Sequence, residues 1–197
     1  MLKSSLVSLS LVLAVPSLAK GQEKKVNASK NGAINVFPDC SQVPGNLVRN
    51  CGFETGNFEG WRQSGDTSFT TVTMNAAHSG NFGAQIGPTQ FPGFLTQTVA
   101  TVPGQPYDLS FWMRSSGQPN QFMLYWNGTP ISNCLSFPTT ATPMANGAPQ
   151  FDQFFFSALP PADGDSTVMT FGFFNPPDFF FFDDVVVVPS PSGAQAN

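Results

Sequence analysis

The stretch NPPDFFFFDDVVVVP, residues 175–189, packs four phenylalanines, four valines and three aspartates into fifteen positions. A strand covered on both faces reads as a continuous apolar run, whereas a half-exposed one alternates. Phe179 to Phe182 and Val185 to Val188 therefore predict a strand near the middle of its sheet. Left exposed, such a run invites aggregation. Pro176, Pro177 and Pro189 bracket it, and Asp178, Asp183 and Asp184 interrupt it, as residues that block edge pairing do. Two adjacent carboxylates in an apolar strand cost on the order of several kcal/mol if buried without counter-charge. Two readings stay open: the aspartates guard and bend the strand, or they hold a cation. Calcium takes carboxylate and backbone oxygens and would supply the missing charge.

The preceding residues repeat the theme in weaker form. Eighteen glycines, eighteen prolines and twenty-one phenylalanines punctuate short apolar or alternating runs. No window beyond the N-terminus shows apolar residues at the 3.6 period of a helix. The runs NLVRNCGF (46–53), TSFTTVTM (67–74), FGAQIG (82–87) and GFLTQTVAT (93–101) read as strands, and Leu95 to Val99 alternate. PGQPYDLSFWMRSS opens on a turn and continues as a strand. QFMLYWNGTPI is a hairpin, because Asn127-Gly128 accepts the positive φ that a two-residue turn demands. QFDQFFFSAL, STVMTFGFFN and the closing run complete eight or nine strands. That number over about 150 residues predicts an all-β fold, a jelly-roll β-sandwich of two antiparallel sheets.

The ends read differently. Residues 1–19, MLKSSLVSLSLVLAVPSLA, have a lysine, a short apolar stretch and small residues at the end, the pattern of a secretory signal peptide. The apolar stretch is too short to cross a bilayer, and no later segment is long enough, so no membrane span is expected in the mature chain. Residues 20–38 form a flexible basic lead-in with Lys20, Lys24, Lys25 and Lys30. The sandwich domain is expected over 39–189 and a disordered tail over 190–197. After Lys30 only Arg49, Arg62 and Arg114 stand against eleven acids. A fold so acidic argues against a nucleic-acid partner. Export permits a disulfide. Cys40 and Cys51 flank a Pro-Gly turn and are the favoured pair, with Cys134 left over; the other pairings stay open.

The order of several motifs carries a resemblance. NLVRNCGFETGNFEGW, HSGNFGAQIG, GFLTQTVATVPGQPYDLSFWM, FMLYWNGT and FFFFDDVVVVP follow one another as they do in galactose-binding-like jelly rolls. More narrowly, the chain resembles secreted carbohydrate-binding-module-like domains of bacteria, over residues 46–188. The resemblance implies a glycan or cell-surface polysaccharide as partner. It also implies a structural calcium between the first and last strands, held by Glu54 and Asp183 with Asp184 as the alternate. The fold also hosts structural and adhesive proteins of the extracellular matrix without a sugar pocket, which is the alternative reading.

Candidate ligand residues follow from aromatic chemistry. Trp112 lies on the strand face opposite Phe111 and Met113, and Arg114 shares its face. Tyr125, Trp126 and Asn127, one strand later, would complete a patch with Trp112 and Arg114. Each tryptophan has core packing as its competing role, and for Trp61 core packing is the expectation. Catalysis finds no support. His78 is the sole histidine, no Gly-x-Ser-x-Gly elbow occurs, and there is no Cys/His zinc cluster. Glu59, Asp66, Asp108 and Asp152 sit in turn-like contexts that favour solvated charges. A non-catalytic, secreted binding module is the expected function.

Overall fold

The computed structural model describes residues 39–117, 119–135 and 150–191. The signal peptide, the lead-in, the tail from 192 and the side chain of Cys134 lie outside the described residues. Ten strands form two five-stranded sheets, antiparallel throughout. They are β1 (Arg62–Gly65), β2 (Thr71–Thr73), β3 (Gly83–Ile86), β4 (Gly93–Ala100), β5 (Tyr107–Ser115), β6 (Gln121–Trp126), β7 (Thr129–Leu135), β8 (Asp152–Phe156), β9 (Ser166–Phe174) and β10 (Phe180–Pro189). One sheet runs β1-β4-β9-β6-β7 and the other β2-β3-β10-β5-β8. The jelly-roll sandwich is thus the one the alternating runs predict.

β10 is the middle strand of its sheet, as its apolar composition requires. Phe180 and Phe182 point inward, and so do Val185 and Val187. A strict two-residue period cannot satisfy both pairs. The chain absorbs the extra residue in a bulge: Asp183 faces Trp112, the next pair is Val186 with Ser110, and Phe111 alone stands opposite the two residues between. Asp184 takes φ of +50°, a conformation aspartate tolerates better than a branched side chain. The bend expected of the aspartates is therefore real, and it lets one strand keep two apolar runs on one face.

The inward faces meet in a phenylalanine core. The Phe182 ring lies 4.9 Å from Phe171, 5.2 Å from Phe111 and 5.3 Å from Phe173. Each such side chain contributes about 1.5–3 kcal/mol by leaving water, and ring pairs add about 0.5–1.5 kcal/mol. Trp61 is core, 5.6 Å from Phe53, with its indole N–H donated to the Asn50 carbonyl.

Three expectations need correction. Residues 46–53 form turns rather than a strand. They run beside the second half of β10, where β3 no longer reaches. There Leu47 N–H bonds Val187 O, Val185 N–H bonds Cys51 O, and the Asn46 side chain serves both Val185 O and Val187 N–H. The single Asn46 side-chain amide takes two of the places a ladder would fill, so the segment lacks strand geometry. At the other end, Ser190 belongs to the fold and not to the tail: it is buried, bonded through its N–H to Pro106 O and through its hydroxyl to Asp108. Asp66, finally, is not a solvated charge. It accepts hydrogen bonds from Ser68, Thr89 and Gln90, and the Ser68 hydroxyl foremost holds its carboxyl well below the usual range.

Candidate functional site

β5 alternates without a fault, so Tyr107, Leu109, Phe111 and Met113 enter the core while Ser110, Trp112 and Arg114 emerge on the outer face of their sheet. On that face Ser110 lies between Phe155 of β8 and Val186 of β10, and Trp112 lies between Gln153 and Asp183. The 74–79 loop folds over one end. There the His78 ring stacks on Trp112 at 4.0 Å and meets Phe151 edge-on at 5.4 Å. Arg114 is clamped at the same end, its guanidinium 3.5 Å from the Phe181 ring centre and its Nη2 donated to Asn75 O. Burial pushes the Arg114 pKa down to about 10, so it stays charged at neutral pH.

The other end of the face is open. A groove of about 330 Å³ is lined by Val43, Ser110, Trp112, Gln153 and Val186, with the Cys40 segment as a wall. Phe155, 63% exposed, stands beside it on the edge strand. The Cys40–Cys51 disulfide fastens that wall, and it is the pairing the sequence favours. A larger groove of about 520 Å³ borders it, but loop residues such as Ser41, Pro44, Asn46 and Glu54 line it and no aromatic ring does.

The five residues expected to share a ligand patch do not share one. Trp112 and Arg114 lie on one sheet, whereas Tyr125 and Trp126 lie on β6 of the other, with Asn127 in the turn after it. Trp126 points inward with Phe122 and Leu124 and is 1% exposed, its indole N–H donated to Pro160 O. Tyr125 is half-buried on the far outer face, and Asn127 donates to Asp163. β5 and β6, consecutive in sequence, sit in opposite sheets, which the strand period alone does not reveal. Ser110, Gln153 and Phe155 escaped the sequence reading. Alternation of Gln153 and Phe155 against the inward Phe154 and Phe156 was the available signal.

The aspartates beneath this face are held by protein donors. Asp183 accepts the N–H groups of His78 at 2.7 Å, Ser79 at 3.2 Å and Asp184 at 2.8 Å. Asp184 accepts Cys40 N–H and the Ser79 hydroxyl, and its Oδ2 lies 2.7 Å from His78 Nδ1. Burial first, and then the Asp184 charge, pushes the Asp183 carboxyl well above its usual range. Glu54 is engaged elsewhere, accepting N–H groups of Asn81 and Phe82. Gly80, at φ +59°, leaves room for that carboxylate where any Cβ would overlap it.

These residues do not fit the calcium site expected of them. Among the described residues, the only three Asp, Glu, His or Cys ligand atoms within 4.8 Å of one another belong to Asp39, Cys40 and Cys51. Two of those are spent in the disulfide. Glu54 therefore does not converge with Asp183 and Asp184, whose carboxylates accept N–H groups of the protein. Chelation by EDTA is expected to leave the thermal unfolding curve unchanged; a fall in melting temperature reversed by added calcium would refute this. The pair Ser79 and His78 is not a nucleophile and its base either. Both side chains bond the Asp184 carboxylate, whereas catalysis would need the hydroxyl on the imidazole.

Comparisons with known proteins bear on the fold. A family model described as a carbohydrate binding domain matches residues 45–126. No curated protein matches the chain. Among solved structures, TmCBM61 in complex with β-1,4-galactotriose is similar at a TM-score of 0.58 and 20% identity, covering 74% of this chain and 99% of that one. The CBM22-1 xylan-binding domain of Paenibacillus barcinonensis Xyn10C is similar at 0.52 and 14% identity, covering 72% and 92%. A cyclase from Fischerella sp. TAU reaches 0.51 at 15% identity, covering 74% and 97%. Identities this low speak to the fold, and the fold serves both binders and an enzyme.

Proposed function

We propose that this chain, whose residues 45–126 match a carbohydrate binding domain model and whose fold is similar to that of TmCBM61, is a secreted, non-catalytic module that binds extracellular or cell-surface glycans along the outer face of β5. One observation carries the proposal: Trp112 and the exposed Phe155 flank Ser110 and Gln153 on an open sheet face. Ring faces accept the C–H side of a sugar, while the hydroxyl and amide between them match its hydroxyl groups. Sites of this kind are apolar with a few placed polar groups. The disulfide supports an oxidising compartment. The commitment of His78, Ser79 and the aspartates to one another supports a non-catalytic role.

The test is affinity electrophoresis in gels containing β-1,4-galactan or xylan, followed by a glycan array. Phe155→Ala is expected to weaken binding about tenfold or more, equal to about 1.4 kcal/mol, with unfolding little changed because the ring is mostly exposed. Trp112→Ala should weaken it further while also releasing His78. An array without hits, or a Phe155→Ala module that binds as the parent does, would overturn the reading. The adhesive alternative draws on exposed Phe69 and Phe91, both away from this groove. Under it, glycans would not bind and the module would self-associate through those rings.

A further inference from the structure

The outer face of the opposite sheet carries a second groove with different chemistry. β1 covers only part of the β4 edge, pairing Arg62 with Thr96 and ending there. Beyond that point the 49–61 loop lies against β4. Gln97, buried at 4%, fixes it by accepting Arg49 N–H at 2.8 Å and donating to Arg49 O at 3.0 Å. Gly60 at φ +82° turns the loop tightly beside Arg49. Arg49 and Arg62 consequently flank one groove of about 380 Å³, floored by Thr96, Thr98 and the partly exposed Val168.

The charges in this groove are unusual for this chain. The described residues contain three arginines, and two of them line the same groove. Eleven acids follow the lead-in, yet neither arginine pairs with one. The sole ion pair among the described residues is His78 with Asp184. Glu59 lines the adjoining groove with Arg49 and makes no ion pair with it. Both side chains are exposed, so their charges face solvent in one groove with no acidic partner among the described residues. An acidic ligand would supply one. Guanidinium forks match carboxylate and sulfate groups with paired hydrogen bonds. Threonine hydroxyls and the Val168 methyls suit the hydroxylated and C–H sides of a sugar.

We propose that the Arg49–Arg62 groove is a second glycan site, selective for polysaccharides bearing carboxylate or sulfate groups. It is independent of the Trp112–Phe155 groove, which lies on the other sheet and has no arginine or lysine in its described lining. A module with both would cross-link a neutral and an acidic chain.

Affinity electrophoresis in gels of polygalacturonate, dextran sulfate and uncharged dextran tests this. The parent module should be retarded by one or both charged polymers more than by dextran, and less as salt rises. Retardation by only one polymer assigns the group as uronate or sulfate. The double variant Arg49→Ala/Arg62→Ala should lose at least about tenfold of that affinity, about 1.4 kcal/mol. Arg62→Glu alone, an exposed change on a four-residue edge strand, should lose as much and guards against misfolding of the double variant. Trp112→Ala should retain charged-polymer binding, which separates this site from the first. Equal retardation by charged and uncharged polymers, or unaltered binding by both arginine variants, overturns the proposal.

Discussion

Trp126→Ala is expected to destabilise the domain by about 3–5 kcal/mol, the cost of truncating a core aromatic, while glycan binding by the surviving folded protein is unchanged. The side chain is 1% exposed and lies 5.9 Å from the Tyr107 ring between the sheets. Its removal opens a cavity and also strips Pro160 O of the indole donor. Both effects act on the folded state, and neither touches the Trp112 groove. Urea unfolding gives the first quantity, and affinity electrophoresis well below the midpoint gives the second. A loss under about 1 kcal/mol together with weakened binding would place Trp126 at the ligand instead.

The second large effect concerns pH. Asp183 is fully buried, and its folded pKa is raised above the unfolded value of about 3.9. A raised pKa means that the folded state holds the proton more tightly. Its contribution to stability is present in full below about pH 3.9 and is lost as pH rises through the folded value. Asp183→Asn removes this dependence. It also turns one amide N–H₂ toward backbone donors that now meet a carboxylate oxygen, at a cost of about 1–3 kcal/mol. The parent should therefore exceed the variant in stability by most at low pH, and the gap should narrow toward neutrality. Urea midpoints of the two proteins from pH 3.5 to 8 measure it. A gap that is flat, or that widens with pH, would show that Asp183 is ionised at little cost, its N–H donors outweighing burial. The His78 N–H and the Asp184 N–H and charge face the same carboxylate, so the difference reads Asp183 together with its coupling to Asp184.

Part of the site was legible beforehand. Alternation set Trp112 and Arg114 on one face of β5, and of the adjacent Tyr125 and Trp126 a strand exposes one. It did not say which, because the phase of a strand depends on where the other sheet lies. The grouping of Trp112 with Trp126 failed for the same kind of reason. Adjacent strands in sequence were read as adjacent in space, whereas β5 and β6 belong to different sheets. The ligand set for calcium was read from a motif order. Glu54, however, turned to Asn81 and Phe82, and the aspartates to the 78–79 backbone.

By itself, the sequence determined what depends on near neighbours: the strand runs from β3 to β10, the Asn127-Gly128 turn and the apolar strand that had to be central. Those follow from a two-residue side-chain period, from backbone angles open to few residues, and from the cost of exposing an apolar run. Tertiary structure alone decided that Asp184 meets His78 across 106 residues, that a bulge restores the phase of β10, and that Gln97 holds the Arg49 backbone against β4 so that Arg49 and Arg62 line one groove. Those contacts arise from the pairing of distant strands, and strand partners are chosen by the packing of the whole core, which no local pattern encodes.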